Sequence, residues 1–313
     1  MVTRRSISVL SMLVVGALTV AGCGGSESTE LNKVTISVGV DPAYTPDFVA
    51  KQQGFFEKHG LDATLVQYSP AGDGVDAMIA GTVNIGAAGD ANSLIKSTRG
   101  GLAALSVYET SGKYMKLVVR NDINSPMEIR KMGVTSGSLV EYGAIKVLEE
   151  AGDLDAVELV NAGVSEFPAL LQRGAIDAFL AYEPFVSQAE TQNGKTLGPS
   201  DQWGFSYSFL VNANAQWLKE NAATAEAYLD AIAEAAEFIK ENPEKAADAV
   251  HAEAKMPAKD ALKALGDVDF NVRDFSAADH EAFEQISEYL VRTKTVEKAP
   301  DLEKYLRPGF FKG

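Results

Sequence analysis

Val34-Thr35-Ile36-Ser37-Val38-Gly39-Val40 alternates apolar and polar positions, the period of a half-buried strand. Asp41-Pro42-Ala43 interrupts it, and Thr45-Pro46 supplies the cap and first position of a helix. That helix carries Phe48, Val49, Phe55 and Phe56 and closes near His59-Gly60. A strand over 63–68, a helix over about 73–80 and another short strand follow. Asp90-Ala91-Asn92-Ser93 then opens a short helix, with Asp90 a natural N-cap, and 102–108 reads as a further strand.

A second pass through the same order begins at strand 132–135. Ser136-Gly137-Ser138 leads into a helix with Ala144, Val147 and Leu148 on one face, closed by Gly152. Strand 157–161 and helix 165–173 follow. The parallel is clearest in one phrase stated twice, 93 residues apart. Met78-Ile79-Ala80-Gly81-Thr82-Val83-Asn84-Ile85 is echoed by Leu171-Gln172-Arg173-Gly174-Ala175-Ile176-Asp177-Ala178. Nine residues past each glycine stands a carboxylate, Asp90 and Glu183. The repeat predicts two similar α/β lobes, each presenting an acid at the end of a strand.

Two strand-like segments, 115–120 and 206–212, read as crossings between the lobes. The expected division is lobe 1 over 34–120 plus 209–313 and lobe 2 over 121–208. Beyond the second crossing the chain turns helical. Ala222–Lys240 has Tyr228, Ile232, Ala235 and Phe238-Ile239 on one stripe and stops at Asn242-Pro243; Ala277–Arg292 buries Phe283, Ile286 and Leu290. These helices are expected to pack back on lobe 1.

The N-terminus reads differently. Arg4 and Arg5 precede an apolar stretch of 14 residues, Ile7 to Val20, the length of a signal-peptide core and short for a membrane span. Val20-Ala21-Gly22-Cys23 resembles a bacterial lipobox, which implies removal of residues 1–22 and a diacylglyceryl thioether on Cys23. Cys23 is the only cysteine, so no disulfide is expected. Residues 23–33, rich in Gly, Ser and Glu, read as a lipidated tether. The protein is thus expected outside the cytoplasm, held to the membrane by lipid alone. Its net charge of −15, or −17 without Arg4 and Arg5, disfavours nucleic acid and anionic headgroups. A monomer is expected.

No Gly-x-Ser-x-Gly elbow, P-loop, Gly-x-Gly-x-x-Gly or Cys-x-x-Cys occurs. His59, His251 and His280 have no His or Cys neighbour at metal-ligand spacing, so neither a metal nor a cofactor is expected. An acid–base pair of Asp90 and Glu183 has no further support in the chain. What remains are residues at strand ends and helix starts, where α/β folds bind ligands. Ser136, Gly137 and Ser138 could offer N–H groups and hydroxyls to an anionic group, or form a Ser138–Glu141 capping box. Glu183 precedes Pro184, which favours an extended backbone, and no capping role is evident for it. Tyr44, Tyr182, Phe205 and Tyr207 are candidate stacking walls, and Glu109 follows a strand. The candidate ligand contacts are Asp41, Tyr44, Thr45, Asp90, Ala91, Glu109, Ser136, Gly137, Ser138, Asn161, Tyr182 and Glu183.

Ala50-Lys51-Gln52-Gln53-Gly54-Phe55-Phe56-Glu57-Lys58-His59-Gly60-Leu61-Asp62 resembles a segment of one group of solute-binding proteins. These are the ABC-transporter receptors for taurine, alkanesulfonates, nitrate and thiamine-precursor pyrimidines. Met78–Ile85, Ala181-Tyr182-Glu183-Pro184-Phe185 and Asn221 to Ala247 are similar to other segments of that group, a resemblance spanning 34–250. Tyr182 stands where many members carry Trp. The resemblance implies a type II periplasmic-binding fold: two α/β lobes with parallel-rich sheets, joined by two crossover strands and closing on a ligand. It also implies no catalysis, and an ABC permease as partner. The fungal pyrimidine synthases of the same fold rely on histidine and a cysteine cluster, which this chain lacks. An extracytoplasmic sensor is the other role such a domain can take.

Asp90 and Glu183, read as facing carboxylates, would repel on closure unless something cationic or proton-donating lay between them. With Ser136–Ser138 as an anion site, the expected ligand is a zwitterion such as taurine. An aminopyrimidine stacked on Tyr182 is the alternative. Nitrate and bare alkanesulfonates fit poorly.

Overall fold

The computed structural model describes residues 31–69, 72–151 and 153–313. The expected signal segment 1–22, Cys23, most of the expected tether and Gly152 lie outside the described residues. Asn32 and Lys33, assigned to the tether from the sequence, are already in the first strand, where Asn32 N–H donates to the Gly60 carbonyl at 2.9 Å.

Among the described residues ten strands form two five-stranded sheets. They are β1 Asn32–Val38, β2 Leu61–Gln67, β3 Ile85–Gly89, β4 Leu102–Ser111, β5 Lys116–Arg120, β6 Lys131–Val134, β7 Glu158–Asn161, β8 Ala178–Ala181, β9 Gly194–Pro199 and β10 Tyr207–Asn214. The first sheet runs β2-β1-β3-β10-β4 and the second β7-β6-β8-β5-β9. In each, four strands run the same way, and one strand that follows a crossing, β10 or β5, lies antiparallel between two of them. The two sheets therefore share one order, and each is the frame of an α/β lobe. Central strands β3 (Ile-Gly-Ala-Ala-Gly) and β8 (Ala-Phe-Leu-Ala) are buried throughout. Their small and apolar residues suit strands covered on both faces.

The duplicated phrase has a structural cause. Gly81 (φ +74°) and Gly174 (φ +69°) each end a helix in the left-handed conformation, which glycine adopts without a Cβ penalty. Three residues on, Asn84 and Asp177 enter the two central strands. Each backbone N–H donates to the neighbouring parallel strand, Asn84 to the Thr35 carbonyl and Asp177 to that of Lys131. Each side chain accepts in return: Asn84 Oδ1 from Thr35 N at 2.8 Å, Asp177 Oδ2 from Lys131 N at 2.9 Å. The repeat thus sets the register of β1 with β3 and of β6 with β8.

The crossings differ from expectation. The segment read as crossing at 115–120 is largely β5, which lies wholly in the second sheet, and 206–212 falls mostly in β10, in the first. The chain changes sheet at 112–115 and 200–206 instead. These two segments run side by side: Ser200 N–H donates to Met115 O at 2.9 Å and Asp201 N–H to Gly112 O at 2.8 Å. Glycine is required at 112, because a Cβ there would stand 2.6 Å from Asp201 Cβ. Strand hydrogen bonding across the sheet, invisible to a local pattern, decides which side of a crossing a strand joins.

Helices Ala222–Glu241 and Pro243–Ala254 pack on Thr45–Gln52, and Ala277–Arg292 packs on Asp90–Ser97, so the C-terminal helices return to the first lobe. Asp47 anchors this packing. It is fully buried, accepts from the Tyr108 hydroxyl of β4 at 2.7 Å and from that of Tyr228 at 2.9 Å, and so ties three elements together. Among the described residues no helix is long and apolar enough to cross a membrane, and no group of three potential metal ligands occurs.

Candidate functional site

A cavity of about 120 Å³ opens between the two sheets at the ends of the parallel strands. It has room for roughly ten water-sized groups, which suits a small molecule rather than a peptide. The first lobe lines it with Asp41, Tyr44, Gly89, Asn92, Tyr207 and Phe209, the second with Thr135, Ser138, Leu139, Val164 and Tyr182. Tyr114 and Met115 of the first crossing close it. Among the described residues lining it there is no Lys, Arg or His.

Aromatic rings make most of the wall. Tyr114 and Tyr182 stack with centroids 5.6 Å apart and planes within 13° of each other. Tyr44 meets Phe209 edge-on at 5.6 Å, and Phe209 meets Tyr207 at 5.7 Å. Asp41 ends the loop after β1. Its Oδ1 accepts from Ala43 N at 3.0 Å and from the Tyr114 hydroxyl at 3.1 Å. Among the described residues nothing donates to its Oδ2. Burial, only partly offset by those two donors, pushes its carboxyl up to about 6.

Of the twelve candidates, four line this cavity: Asp41, Tyr44, Ser138 and Tyr182. Neither Asp90 nor Glu183, the expected clamp, is among the residues lining this cavity. Both carboxylates stand at strand ends as the repeat implies, but they turn to backbone amides. Asp90 Oδ1 accepts from Ala91 N at 2.6 Å and Oδ2 from Ser208 N at 2.9 Å. Glu183 Oε2 accepts from Ser187 N, in the first turn of the helix Phe185–Glu190, at 3.1 Å, while its buried Oε1 has no hydrogen-bond partner, Lys263 Nζ standing 3.8 Å away. Ala91 is buried, and the Thr45 hydroxyl donates to the Pro42 carbonyl at 2.6 Å. Phe205 packs edge-on against Tyr142 in the core. Glu109 is fully buried beside the cavity wall.

The expected anion site is also occupied from within. Ser136 N–H donates to Asn161 Oδ1, Gly137 N–H to Glu141 Oε2 and Leu139 N–H, across the cleft, to Asn92 Oδ1, at 3.0, 2.8 and 3.0 Å. Ser138 Oγ accepts from Val140 N at 3.2 Å and Glu141 N at 3.4 Å. The capping arrangement has taken five of the amides an anion would need, those of residues 136, 137, 139, 140 and 141. Ser138→Ala is accordingly expected to lower stability by about 1 kcal/mol while ligand affinity stays within about threefold. Chemical denaturation and titration on the same sample check both.

Tyr114, Phe209 and Asn92 were not anticipated from the sequence. Tyr114 sits in the tight crossing and Phe209 on a strand read as passing between lobes, so neither stood at a predicted strand end. Asn92 is one turn into a helix whose start, Asp90, drew the attention.

The lobes meet on both sides of the cavity. Besides the Asn92–Leu139 bond, Lys116 pairs with Asp267 at 2.7 Å and Arg292 with Glu149 at 3.0 Å. Tyr142 and Tyr289 lie 4.7 Å apart. This is a closed arrangement.

Burial raises three aspartates together: Asp41 to about 6, Asp47 and Asp90 to about 7, from 3.8. A carboxyl whose folded value is raised adds stability that is complete below 3.8 and is lost as pH rises through 6 to 7. Asp279, where bonds from Arg273 and Ser276 outweigh burial, is held low and works the other way, but only in stronger acid. The ligand-free protein is therefore expected to melt at least about 5 °C higher at pH 5 than at pH 8. Scanning calorimetry at the two values checks this.

A model of the NMT1/THI5-like family matches residues 41–246, about two thirds of the chain. The chain belongs to that family. Among curated proteins it is similar to the formylaminopyrimidine-binding protein of Halalkalibacterium halodurans, 23% identical over 259 residues and 77% of each chain. It is also similar to the nitrate import ATP-binding protein NrtC of Synechocystis sp., 24% identical over 236 residues; the match covers 66% of this chain but only 35% of NrtC. Among solved structures, the periplasmic aliphatic sulphonate binding protein SsuA of Escherichia coli matches with a TM-score of 0.77 at 17% identity, over 87% of this chain and 96% of SsuA. The periplasmic nitrate-binding protein NrtA of Synechocystis matches with a TM-score of 0.73 at 15% identity, over 90% and 87%. This family member therefore has the periplasmic-binding-protein fold, and these two structural neighbours are binding proteins.

Proposed function

We propose that this chain is the substrate-binding protein of an ABC import system, and that its ligand is a small N–H-donating heteroaromatic of the aminopyrimidine type. On this reading it is anchored outside the cytoplasm through Cys23, captures the ligand between its lobes and presents the closed form to a permease, without catalysis. The observation that carries the ligand class is a tyrosine-walled, acidic cavity with no cationic side chain among its described lining residues.

An aminopyrimidine has a flat face for the Tyr114–Tyr182 side and N–H groups for the free oxygen of Asp41. Tyrosine rings and ring nitrogens interact face to face or edge to face without a formal charge. The Halalkalibacterium relative, named for formylaminopyrimidine, supports the same class. Nitrate or a sulfonate would instead bring negative charge against Asp41 and find the amides of residues 136, 137, 139, 140 and 141 already engaged. The taurine-like zwitterion expected from the sequence meets that same difficulty at its sulfonate end.

Closure then follows from ligand contacts made to both lobes at once, since only a difference in affinity between open and closed forms shifts their populations. A thermal-shift series on the purified protein tests the class. A formylaminopyrimidine and 4-aminopyrimidine are expected to raise the melting point, by about 2.7 kcal/mol of stabilisation at 100 times Kd. Taurine, an alkanesulfonate and nitrate are expected to leave it unchanged. Stabilisation by nitrate or taurine alone would overturn the reading.

A further inference from the structure

Beside the cavity wall, β4 carries a carboxyl that no group in the protein uses. Glu109 is fully buried, and neither of its oxygens has a hydrogen-bond partner. Its cross-strand neighbour on β10 is Phe209, a cavity residue. Paired residues on antiparallel strands project from the same face, so Glu109 and Phe209 stand side by side. Tyr207, two residues along β10, also lines the cavity, and its hydroxyl is likewise buried and unpartnered. Buried polar groups are nearly always paired. Two adjacent exceptions at one cavity point to a partner that arrives from outside.

The charge around Glu109 is one-sided. Asp41 faces it from the loop after β1, Asp90 from the end of β3, and Asp269 from the segment bonded to the outer edge of β4. The Tyr207 hydroxyl on β10 is the one neighbour that favours the charged form, and it stands outside hydrogen-bond geometry with Glu109. The basic residues nearby are engaged or turned outward: Arg273 is held by Asp279 at 2.6 Å, Lys116 by Asp267 at 2.7 Å, and Lys113 is exposed. Burial first, and then Asp41 and Asp90, raise the Glu109 carboxyl well above the ordinary carboxylate range. With no hydrogen-bond partner for either oxygen and carboxyls on three sides, the empty protein disfavours its charged form.

We propose that Glu109, with Tyr207, is the charge-recognition residue of this cavity: it gives up its proton when a positively charged ring nitrogen enters, so the protein selects the cationic form of its ligand and releases one proton per ligand bound. The Glu109 O–H bond breaks, the proton leaves to bulk water, and the carboxylate that remains faces the bound cation; no electrons are exchanged. The inference rests on the heteroaromatic reading above and adds the charge state of the ligand to it.

The test compares 1-methyl-4-aminopyrimidinium, a fixed cation, with neutral 4-aminopyrimidine by calorimetry at pH 8. The proton count comes from repeating the cation titration at pH 7 in phosphate and in Tris. The cation is expected to bind at least about tenfold tighter, with release of close to one proton. In Glu109→Gln the proton release is expected to vanish and the two affinities to converge within about threefold. Equal or tighter binding of the neutral compound without proton release would overturn the inference and leave the aminopyrimidine reading standing. Binding of neither probe, with taurine or nitrate bound instead, would overturn both. Infrared difference spectra give a check that needs no ligand. A protonated-carboxyl band present at pH 7 in the wild type and missing in Glu109→Gln is expected; its absence from the wild type would also overturn the inference.

Discussion

Asp41→Asn is expected to weaken capture of an aminopyrimidine roughly 10- to 150-fold without lowering the unfolding midpoint of the empty protein. The asparagine carbonyl can keep the place of Oδ1, accepting from Ala43 N and the Tyr114 hydroxyl, so the loop after β1 holds its shape. What disappears is the second, unengaged oxygen and its negative charge. A hydrogen bond to a charged group contributes about 1.5–3 kcal/mol, which sets the range of the expected loss. Titration of wild type and variant with a formylaminopyrimidine measures it. If the affinity held within about twofold, Asp41 would be a loop-shaping residue and the ligand would lie elsewhere in the cavity.

Asp47→Ala carries the largest expected effect on stability, a loss of about 2–6 kcal/mol. The phenols of Tyr108 and Tyr228 both donate to Asp47 in a fully buried setting, and alanine leaves both without an acceptor. An orphaned buried donor costs about 1–3 kcal/mol, and there are two. The damage should be global, because the network joins the first helix, β4 and the long helix Ala222–Glu241. Urea denaturation gives the number. Asp47→Asn, which retains an acceptor for one phenol, is expected to lose less, and the ordering of the two variants separates the hydrogen-bond account from simple loss of charge.

Much of the fold was legible because its elements carry their own boundaries. Helix Ala277–Arg292 begins and ends where its apolar stripe does, with Ser276 and Asp279 forming a capping box. Strand β9 was not legible: Gly-Lys-Thr-Leu-Gly-Pro has two glycines, a proline and no alternation. Helix Pro243–Ala254 was missed because Asn242-Pro243 reads as a stop, yet proline is equally suited to a first helical turn. The position of the crossings escaped for a different reason, since β5 looks the same locally whichever sheet it joins.

For the site, the strand-end rule found Asp41, Tyr44 and Tyr182, whose backbone position alone brings them to the cavity. It misread Asp90 and Glu183. Strand-end placement fixes where a carboxylate starts, but a turn of the side chain decides whether it meets the ligand or the next helix's amides, and here both meet amides. The loop at 136–138 and the residue after it behave in a similar way, the amides of Ser136, Gly137 and Leu139 being used by Asn161, Glu141 and Asn92 from three separate elements. Glu109 was named only as the residue after a strand; its isolation inside an acidic surround is a property of the packed sheet.

The central claim is that this family member holds a nitrogenous ring between tyrosines and an aspartate, and does not hold an anion. Competition calorimetry tests it most directly, with a formylaminopyrimidine titrated into protein alone and into protein saturated with taurine or with nitrate. The account predicts one ligand per chain and the same dissociation constant in all three titrations. A dissociation constant raised in proportion to nitrate or taurine, or heat from either of those with none from the pyrimidine, would contradict it.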